Sequence, residues 1–243
     1  ANLDASGSVS IATGNVYQSG SDNCGTVNQV SVSPNTFNCG NIGVNTVTLT
    51  VNDGHGNTGT CLATVTVGDR VLPTITCPAN ATIPAGANCT AALASYTAAA
   101  TTNDNCTANP GKTQSPVSGT TIAGSQVVTL TATDAANNSA ACTFTVTVAD
   151  QTAPTITCPA NIATTTDMGQ CSAVTTYAVT ANDNCSYMLT KTGGLASGAA
   201  FPTGVNTVTW KATDPSSNST VCSFTVTVTD AQAPTITCPA NIV

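Results

Sequence analysis

Twelve cysteines are the residues of this chain with the greatest capacity for chemistry, because thiols form disulfides, bind metals and act as nucleophiles. They are spread over 243 residues without the tight clustering that zinc sites show. Many cysteines in small repeats indicate a disulfide framework made in an oxidising compartment. We therefore expect an extracellular protein, secreted or held at a cell surface.

Aspartate supplies all eleven acidic residues, and nine of them fall in three columns that recur along the chain. Asp in a turn bonds its own backbone, which explains the columns that begin at Asp22 and Asp53. The third column is Asp69, Asp150 and Asp230, at expected junctions between repeats. Carboxylate and carbonyl oxygens there would suit Ca²⁺, although no EF-hand spacing is present. No other cofactor is expected.

Catalytic and nucleic-acid-binding motifs are missing from the sequence. The one histidine, His55, lies in a G-H-G-N turn, and no phosphate loop or H-E-x-x-H motif occurs. The net charge of −7 argues against nucleic-acid and anionic-membrane partners. No apolar run approaches the roughly 18 residues of a membrane span. We therefore expect that this protein is not an enzyme.

An internal repeat positions the cysteines. Three features, the D-N-C phrase, the cysteine of the last predicted strand and the T-I-T-C-P phrase, each recur at spacings of 79 to 82 residues. The repeat divides the chain into a first module (1–69), a second (70–150) and a third (151–231). Residues 232–243 repeat only the phrase that opens a module, and the first module lacks that phrase.

Each module ends in a predicted hairpin. Apolar residues alternate over 206–213 and 220–228 and place Val208, Trp210 and Ala212 on one face, so Trp210 is expected in the core. About seven short strands per module predict an all-β chain of three tandem Ig-like β-sandwich modules, the first without its opening strand. The other expected elements are hairpins at 45–52 with 60–67 and 126–133 with 141–148, and earlier strands at about 8–16, 91–101 and 173–181.

The chain resembles the HYR (hyalin repeat) family over nearly its whole length. The resemblance rests on T-I-T-C-P-A-N-I, A-N-D-N-C, F-P-T-G-V-N-T-V-T-W-K-A-T-D and C-S-F-T-V-T-V-T-D. The first module is similar to a variant found in long bacterial surface proteins, through L-D-A-S-G-S-V-S-I and S-V-S-P-N-T-F-N-C. The resemblance implies an Ig-like fold and a role in adhesion or extracellular scaffolding, without enzymatic activity.

Four cysteines in a complete module allow three disulfide connectivities. In an Ig-like sandwich the start of the first strand lies beside the end of the second. This favours bonds from the opening phrase to the D-N-C corner and from the remaining cysteine to the last strand, each worth roughly 2–4 kcal/mol. The predicted pairs are Cys77–Cys106, Cys89–Cys142, Cys158–Cys185, Cys171–Cys222 and, in the first module, Cys39–Cys61.

Cys24 and Cys238 are left over by this scheme, one near each end of the chain. We therefore expect a head-to-tail homopolymer, an extracellular filament or pilus-like surface appendage. In it the last ten residues of one subunit complete the first module of the next as a donor strand, and a Cys24–Cys238 bond locks the joint. The donor residues are Pro234, Thr235, Ile236, Thr237, Cys238, Pro239, Ala240, Asn241, Ile242 and Val243.

A second hypothesis explains the same ends. A window cut from a long tandem array would show them too. Under this hypothesis the chain is a spacer in an adhesin or stalk that binds surface glycans or host or neighbour-cell ligands. An accessory domain of a secreted enzyme is a third hypothesis. N-x-S/T sequons nominate Asn80, Asn137 and Asn218 for glycosylation.

Overall fold

The computed structural model describes residues 1–240, so the expected donor residues Asn241, Ile242 and Val243 lie outside the described part. The described residues form two compact units. The first contains Ala1–Ala81, Ala92–Thr120 and Val127–Val146, and the second contains Thr82–Ala91, Thr121–Gln126 and the chain from Thr147 onward. The three modules are a finer division of the chain, and their boundaries stay a prediction.

Strands dominate the described residues, as the alternation of apolar residues predicted. The helical segments among residues 1–240 are 3-10 turns of three residues each, at Thr13–Asn15, Cys39–Asn41 and Ala87–Cys89. None of the described helices is long and apolar enough to cross a membrane.

Five strands lie in the first module, within the first unit: β1 Ser8–Ser10, β2 Asn28–Ser33, β3 Thr36–Asn38, β4 Gly43–Asn52 and β5 Thr58–Val67. β2, β4 and β5 form a three-stranded sheet, and β1 pairs with β3. A core of buried apolar side chains lies between these sheets: Leu3, Val32, Phe37, Val47 and Val67.

Eight strands follow in the second module: β6 Thr74–Thr76, β7 Ala81–Pro84, β8 Thr90–Ala92, β9 Thr101–Asn103, β10 Gly111–Ser115, β11 Thr121–Ala123, β12 Ser125–Thr133 and β13 Ser139–Ala149. One sheet has the order β10-β12-β13-β7, and two strand pairs, β11-β8 and β6-β9, complete the set.

Eight strands of the third module repeat that arrangement within the second unit: β14 Thr155–Thr157, β15 Ile162–Thr165, β16 Ser172–Val174, β17 Thr180–Asn182, β18 Met188–Gly193, β19 Ala200–Pro202, β20 Gly204–Thr213 and β21 Ser219–Thr229. The four-stranded sheet is β15-β21-β20-β18, and β14 pairs with β17 and β16 with β19. β15 runs parallel to β21, whereas β20 and β21 form an antiparallel hairpin.

The terminal hairpins confirm the period-2 prediction. Val208 lies opposite Phe224 and both are buried in the core of the third module. Trp210 is half-buried and packs against that core, as expected. The corresponding hairpins are β4 with β5 and β12 with β13. The sandwich is therefore Ig-like and all-β.

The predicted extents of the earlier strands were wrong. The single strand expected at 173–181 is two short ones, because β16 pairs with β19 while β17 pairs with β14, in different sheets. The segment between them crosses from one sheet to the other, where Tyr177 packs its ring edge against Phe224 at 4.9 Å between centroids. The strand expected at 91–101 is divided in the same way into β8 and β9. Of the strand expected at 8–16 only β1 forms, and a 3-10 turn at Thr13–Asn15 follows it.

Candidate assembly site

Four disulfides join the described residues, and none of the five pairs expected from the sequence is among them. Two bonds link an opening phrase to the last strand of the same module, and two link a D-N-C corner to the preceding module. The pairs are Cys77–Cys142 and Cys158–Cys222 of the first kind, and Cys39–Cys106 and Cys89–Cys185 of the second kind.

The corner explains why the expected pairing fails. The backbone N–H of Cys185 donates to Asp183 Oδ2 at 3.2 Å, which makes a tight turn. The side chain of Asn184 in that turn donates to Asp150 Oδ1 at 3.2 Å and to the Ala85 carbonyl at 3.3 Å. The corner therefore contacts residues that precede its own module, and its cysteine bonds there as well.

Cys39 replaces the cysteine that is missing before the first module's β1. β8 begins directly after Cys89, whereas β1 begins directly after Gly7. Because β1 pairs with β3, the residue that follows β3 lies beside Gly7, and that residue is Cys39. A Cβ built on Gly7 would lie 2.7 Å from Cys39 Sγ, so the sulfur occupies the space that a side chain at position 7 would need.

Four cysteines of the described chain are in no disulfide: Cys24, Cys61, Cys171 and Cys238, all of them exposed. The expected Cys24–Cys238 bond assumed that an opening phrase bonds to a corner. Neither complete module makes that bond, because Cys77 and Cys158 both reach the last strand instead.

The first module has two grooves beside β5 and no counterpart of β14. In the third module β15 covers the edge of β21, with Ile162 opposite Val226. In the first module the N-terminal residues cover the matching edge, since Ala1 N donates to Thr66 O and Leu3 N donates to Gly68 O. A groove of about 520 Å³ beside Val65 and a second of about 500 Å³ beside Cys61 lie next to this edge. Leu62, in the second groove, is 74% exposed.

The opening phrase fills this region in the complete modules. Cys158 and Ile162 pack against the core of the third module, and Pro154 is fully buried. Pro73 is fully buried in the same way. By contrast, residues 231–240 are all exposed and contain no strand, and Ile236 is 87% exposed.

The three columns of aspartate meet at two places. Asp69, Asp104 and Asp134 hold carboxylate oxygens within 4.8 Å of one another, and Asp150, Asp183 and Asp214 do the same. Calcium was expected from the junction column alone, whereas the structure adds the two columns attributed to turns. Asp230 joins no such cluster among the described residues, where its Oδ1 accepts a hydrogen bond from Gln232 N at 3.0 Å.

Each cluster also contains buried oxygens without a hydrogen-bond partner. These are Asp104 Oδ1 and Asn105 Oδ1 in the first cluster, and Asp150 Oδ2, Asp183 Oδ1 and Asn184 Oδ1 in the second. Buried acceptors without partners are costly, and close carboxylates repel each other. Ca²⁺ takes six to eight oxygen ligands, so this donor set fits that ion.

The remaining candidate residues lie in turns or at the surface. His55 is exposed, as expected, beside Asp53. A hydrogen bond from the Asn57 side chain, with another from the His55 backbone, lowers the pKa of Asp53 below its usual 3.8. Asn80 and Asn137 are exposed, and their glycosylation stays a prediction. Asn218 Nδ2 donates to Asp150 O and Asp214 Oδ2, and a glycan there would replace one of those hydrogens.

Solved structures similar to this chain are protocadherin ectodomains. Domains 1–4 of protocadherin gamma B3 match at 13% identity with a TM-score of 0.37, covering 88% of this chain and 66% of that one. Domains 1–3 of mouse protocadherin gamma C3 match at 16% identity with a TM-score of 0.32, covering 78% and 77%. Because both scores are below 0.5, the fold assignment rests on the sheets described above.

Sequence comparison finds a curated relative and a family. Hyalin of Strongylocentrotus purpuratus is 35% identical over 125 residues, which are 49% of this chain and 10% of hyalin. The HYR domain profile matches residues 68–148 and 149–228, which is more than half of the chain. The match covers the second and third modules, and the chain therefore belongs to the HYR domain family.

Proposed function

We propose that this chain is a structural subunit of an extracellular filament or surface appendage. In this assembly, residues 234–243 of one copy add as the opening strand to the first module of the next copy. Membership of the HYR family and similarity to hyalin support an extracellular, adhesion-type repeat protein. The donor strand is the finer part of the proposal.

The two grooves beside β5 are the observation that carries the proposal. They lie beside Val65 and beside Cys61, in a module that has no counterpart of β14. In the third module the same region holds Cys158 and Ile162 against the core.

The tail, residues 234–243, has the sequence of an opening phrase, and its described residues 234–240 are exposed. Residues 234–241 repeat P-T-I-T-C-P-A-N, the phrase found at 73–80 and 154–161. Pro234 is exposed although its counterparts Pro73 and Pro154 are fully buried. Strand addition supplies backbone hydrogen bonds for affinity and side-chain pockets for specificity.

An adhesin or stalk spacer is the second candidate function. It is favoured by hyalin, of which the matched residues cover only 10%. In that case the opening phrase of a preceding module in the same polypeptide would fill the grooves of the first module. The same opening phrase would fill the grooves in both cases. The two functions therefore differ only in whether that phrase belongs to another copy or to the same polypeptide.

Tail substitution tests the proposal. We expect the full chain to form polymers visible by sedimentation and electron microscopy. We expect Ile236→Asp to leave monomers, because its counterparts Ile75 and Ile156 are half-buried and a carboxylate would be desolvated there. Val117→Asp is the matched control, since Val117 is 68% exposed and lies outside the tail, the grooves and the proposed joint. Polymers of Ile236→Asp equal to wild type would contradict donation.

Native material separates the two candidate functions. Subunits of a filament should give a chain mass near 24.0 kDa, plus any glycans, after reduction. A chain several times longer, unchanged by reductant, would establish the spacer.

A further inference from the structure

The four unpaired cysteines of the described chain match the two kinds of disulfide that the modules already contain. We infer that each joint between copies is closed by two disulfides: Cys238 of one copy with Cys61 of the next, and Cys171 of one copy with Cys24 of the next. The inference rests on the proposed head-to-tail assembly and assigns the residues that lock it. In that assembly the occupant of the two grooves beside β5 is a second copy of this chain.

The first bond follows from the opening phrase. Cys77 bonds to Cys142 and Cys158 to Cys222, with Cα atoms 5.8 and 6.0 Å apart. Cys61 occupies the same position on β5, opposite Leu49, as Cys222 does on β21, opposite Trp210. The groove that would receive the phrase lies directly beside Cys61.

The phrase itself brings a cysteine to that groove. Cys238 stands fourth after Pro234, as Cys158 stands fourth after Pro154. A tail seated in the register of β14 would therefore place Cys238 beside Cys61, within the 4.4–6.8 Å Cα separation that disulfides need.

The second bond follows from the corner. Cys89, just before β8, bonds to the corner cysteine Cys185 of the next module, with Cα atoms 4.8 Å apart. Cys171 lies just before β16, the strand that corresponds to β8, and it has no corner to bond within the described chain.

The turn around Cys24 contains the same hydrogen bond as the turns around the bonded corner cysteines. Its backbone N–H donates to Asp22 Oδ2 at 3.0 Å, and Cys106 and Cys185 make the same bond to Asp104 and Asp183 at 3.1 and 3.2 Å. The turn that aims Cys106 and Cys185 at the preceding module is thus already formed around Cys24. The module preceding it in the assembly offers Cys171.

Each bond needs an oxidant, for which a small-molecule disulfide such as oxidised glutathione is sufficient. The thiolate of one cysteine attacks that disulfide and releases one small thiol. The second cysteine then attacks the mixed disulfide and releases the other. Two protein thiols lose two electrons and two protons, and one small disulfide becomes two small thiols.

Four double variants of the full chain test the pairing, each assembled with oxidised glutathione and run on denaturing, non-reducing gels. Cys24→Ser with Cys171→Ser leaves Cys61 and Cys238, and Cys61→Ser with Cys238→Ser leaves Cys24 and Cys171. We expect both to give covalent ladders. Cys61→Ser with Cys171→Ser and Cys24→Ser with Cys238→Ser are the matched controls, and we expect each to collapse to one band near the 24.0 kDa chain mass.

Sedimentation under native conditions separates failure of this inference from failure of the proposed function. All four variants should still sediment as polymers, since the donor strand needs no thiol. A ladder from Cys61→Ser with Cys171→Ser would mean that Cys24 bonds Cys238 and would overturn the pairing alone. Polymers without ladders in all variants would also overturn it. Wild-type monomers with four free thiols would overturn the assembly and the pairing together.

Discussion

In the first module the residue before β1 is Gly7, and the cysteine that bonds to the next corner is Cys39. In the second module the residue before β8 carries the sulfur, whereas in the first module the sulfur comes from the residue after β3. The sulfur of Cys39 fits beside β1 only because position 7 has no side chain. Gly7 also has a φ of +74°, which L-residues rarely adopt. The disulfide to Cys106 therefore depends on a glycine that is distant from it in sequence.

Gly7→Ala should destabilise the first module strongly. Its Cβ would lie 2.7 Å from Cys39 Sγ and 2.9 Å from the Asn105 carbonyl oxygen. We expect a loss of about 1–2 kcal/mol from the positive φ and about 1–3 kcal/mol more from overpacking. Gly119→Ala is the control, because Gly119 has a φ of +88° with nothing within 4 Å of the added Cβ. Equal losses in chemical denaturation would contradict the close contact.

The junctions are built by three elements that are far apart in sequence. The linker before a module supplies Asp69, the D-N-C corner supplies Asp104 and the turn of the terminal hairpin supplies Asp134. Asn138 ties two of them together, since its Nδ2 donates to Asp134 Oδ2 at 2.7 Å and to the Asp69 carbonyl at 3.3 Å. Asp69 and Asp134 are buried, so their mutual repulsion is poorly screened by water.

Calcium should stabilise both junctions. We expect the melting temperature to rise in millimolar Ca²⁺ relative to chelator, because the ion would partner the buried oxygens and relieve the repulsion. Asp134→Asn with Asp214→Asn should abolish most of that rise. Asp53→Asn is the matched control, and all variants are compared in the monomeric Ile236→Asp background. Asp53 makes the same turn with Asn57 but joins no cluster among residues 1–240 of a single chain. Melting that is insensitive to chelator in the wild type would contradict a calcium role.

At the scale of the whole molecule, the first module differs from the others in the segment before its D-N-C corner. β9 and β17 exist as strands paired with β6 and β14. The corresponding residues 19–21 precede the Cys24 corner at the same spacing and form no strand. A donated phrase would give them a partner. It would also bring Asp230 of one copy toward Asp22 and Asp53 of the next, the three columns of a junction.

Assembly should therefore order residues 19–21. Hydrogen exchange of polymers should show slower exchange there than in monomeric Ile236→Asp, because strand pairing protects amides. Amides of the β20–β21 hairpin serve as the internal reference, since that hairpin is complete in the monomer. Unchanged exchange at 19–21 in polymers would show that the tail binds elsewhere.

The repeat made much of the fold predictable. Hairpins such as β20–β21 are local, and alternating residues such as Val208 and Phe224 decide which face is buried whatever lies around them. The short strands before each corner were not predictable in extent. Tyr177 and its neighbours read as a continuous strand, although the chain there changes sheets, and no local residue signals such a crossing.

The sequence by itself determined the all-β class, the repeat and its family, and the match between the tail and the opening phrases. Those features depend on composition, period and identity of residues near in the chain. Only the tertiary structure decided which cysteines bond and that three aspartate columns converge. Disulfides and ligand sites join atoms that are close in space. The corners of the second and third modules contact the module before them, and pairing within single modules cannot predict such contacts.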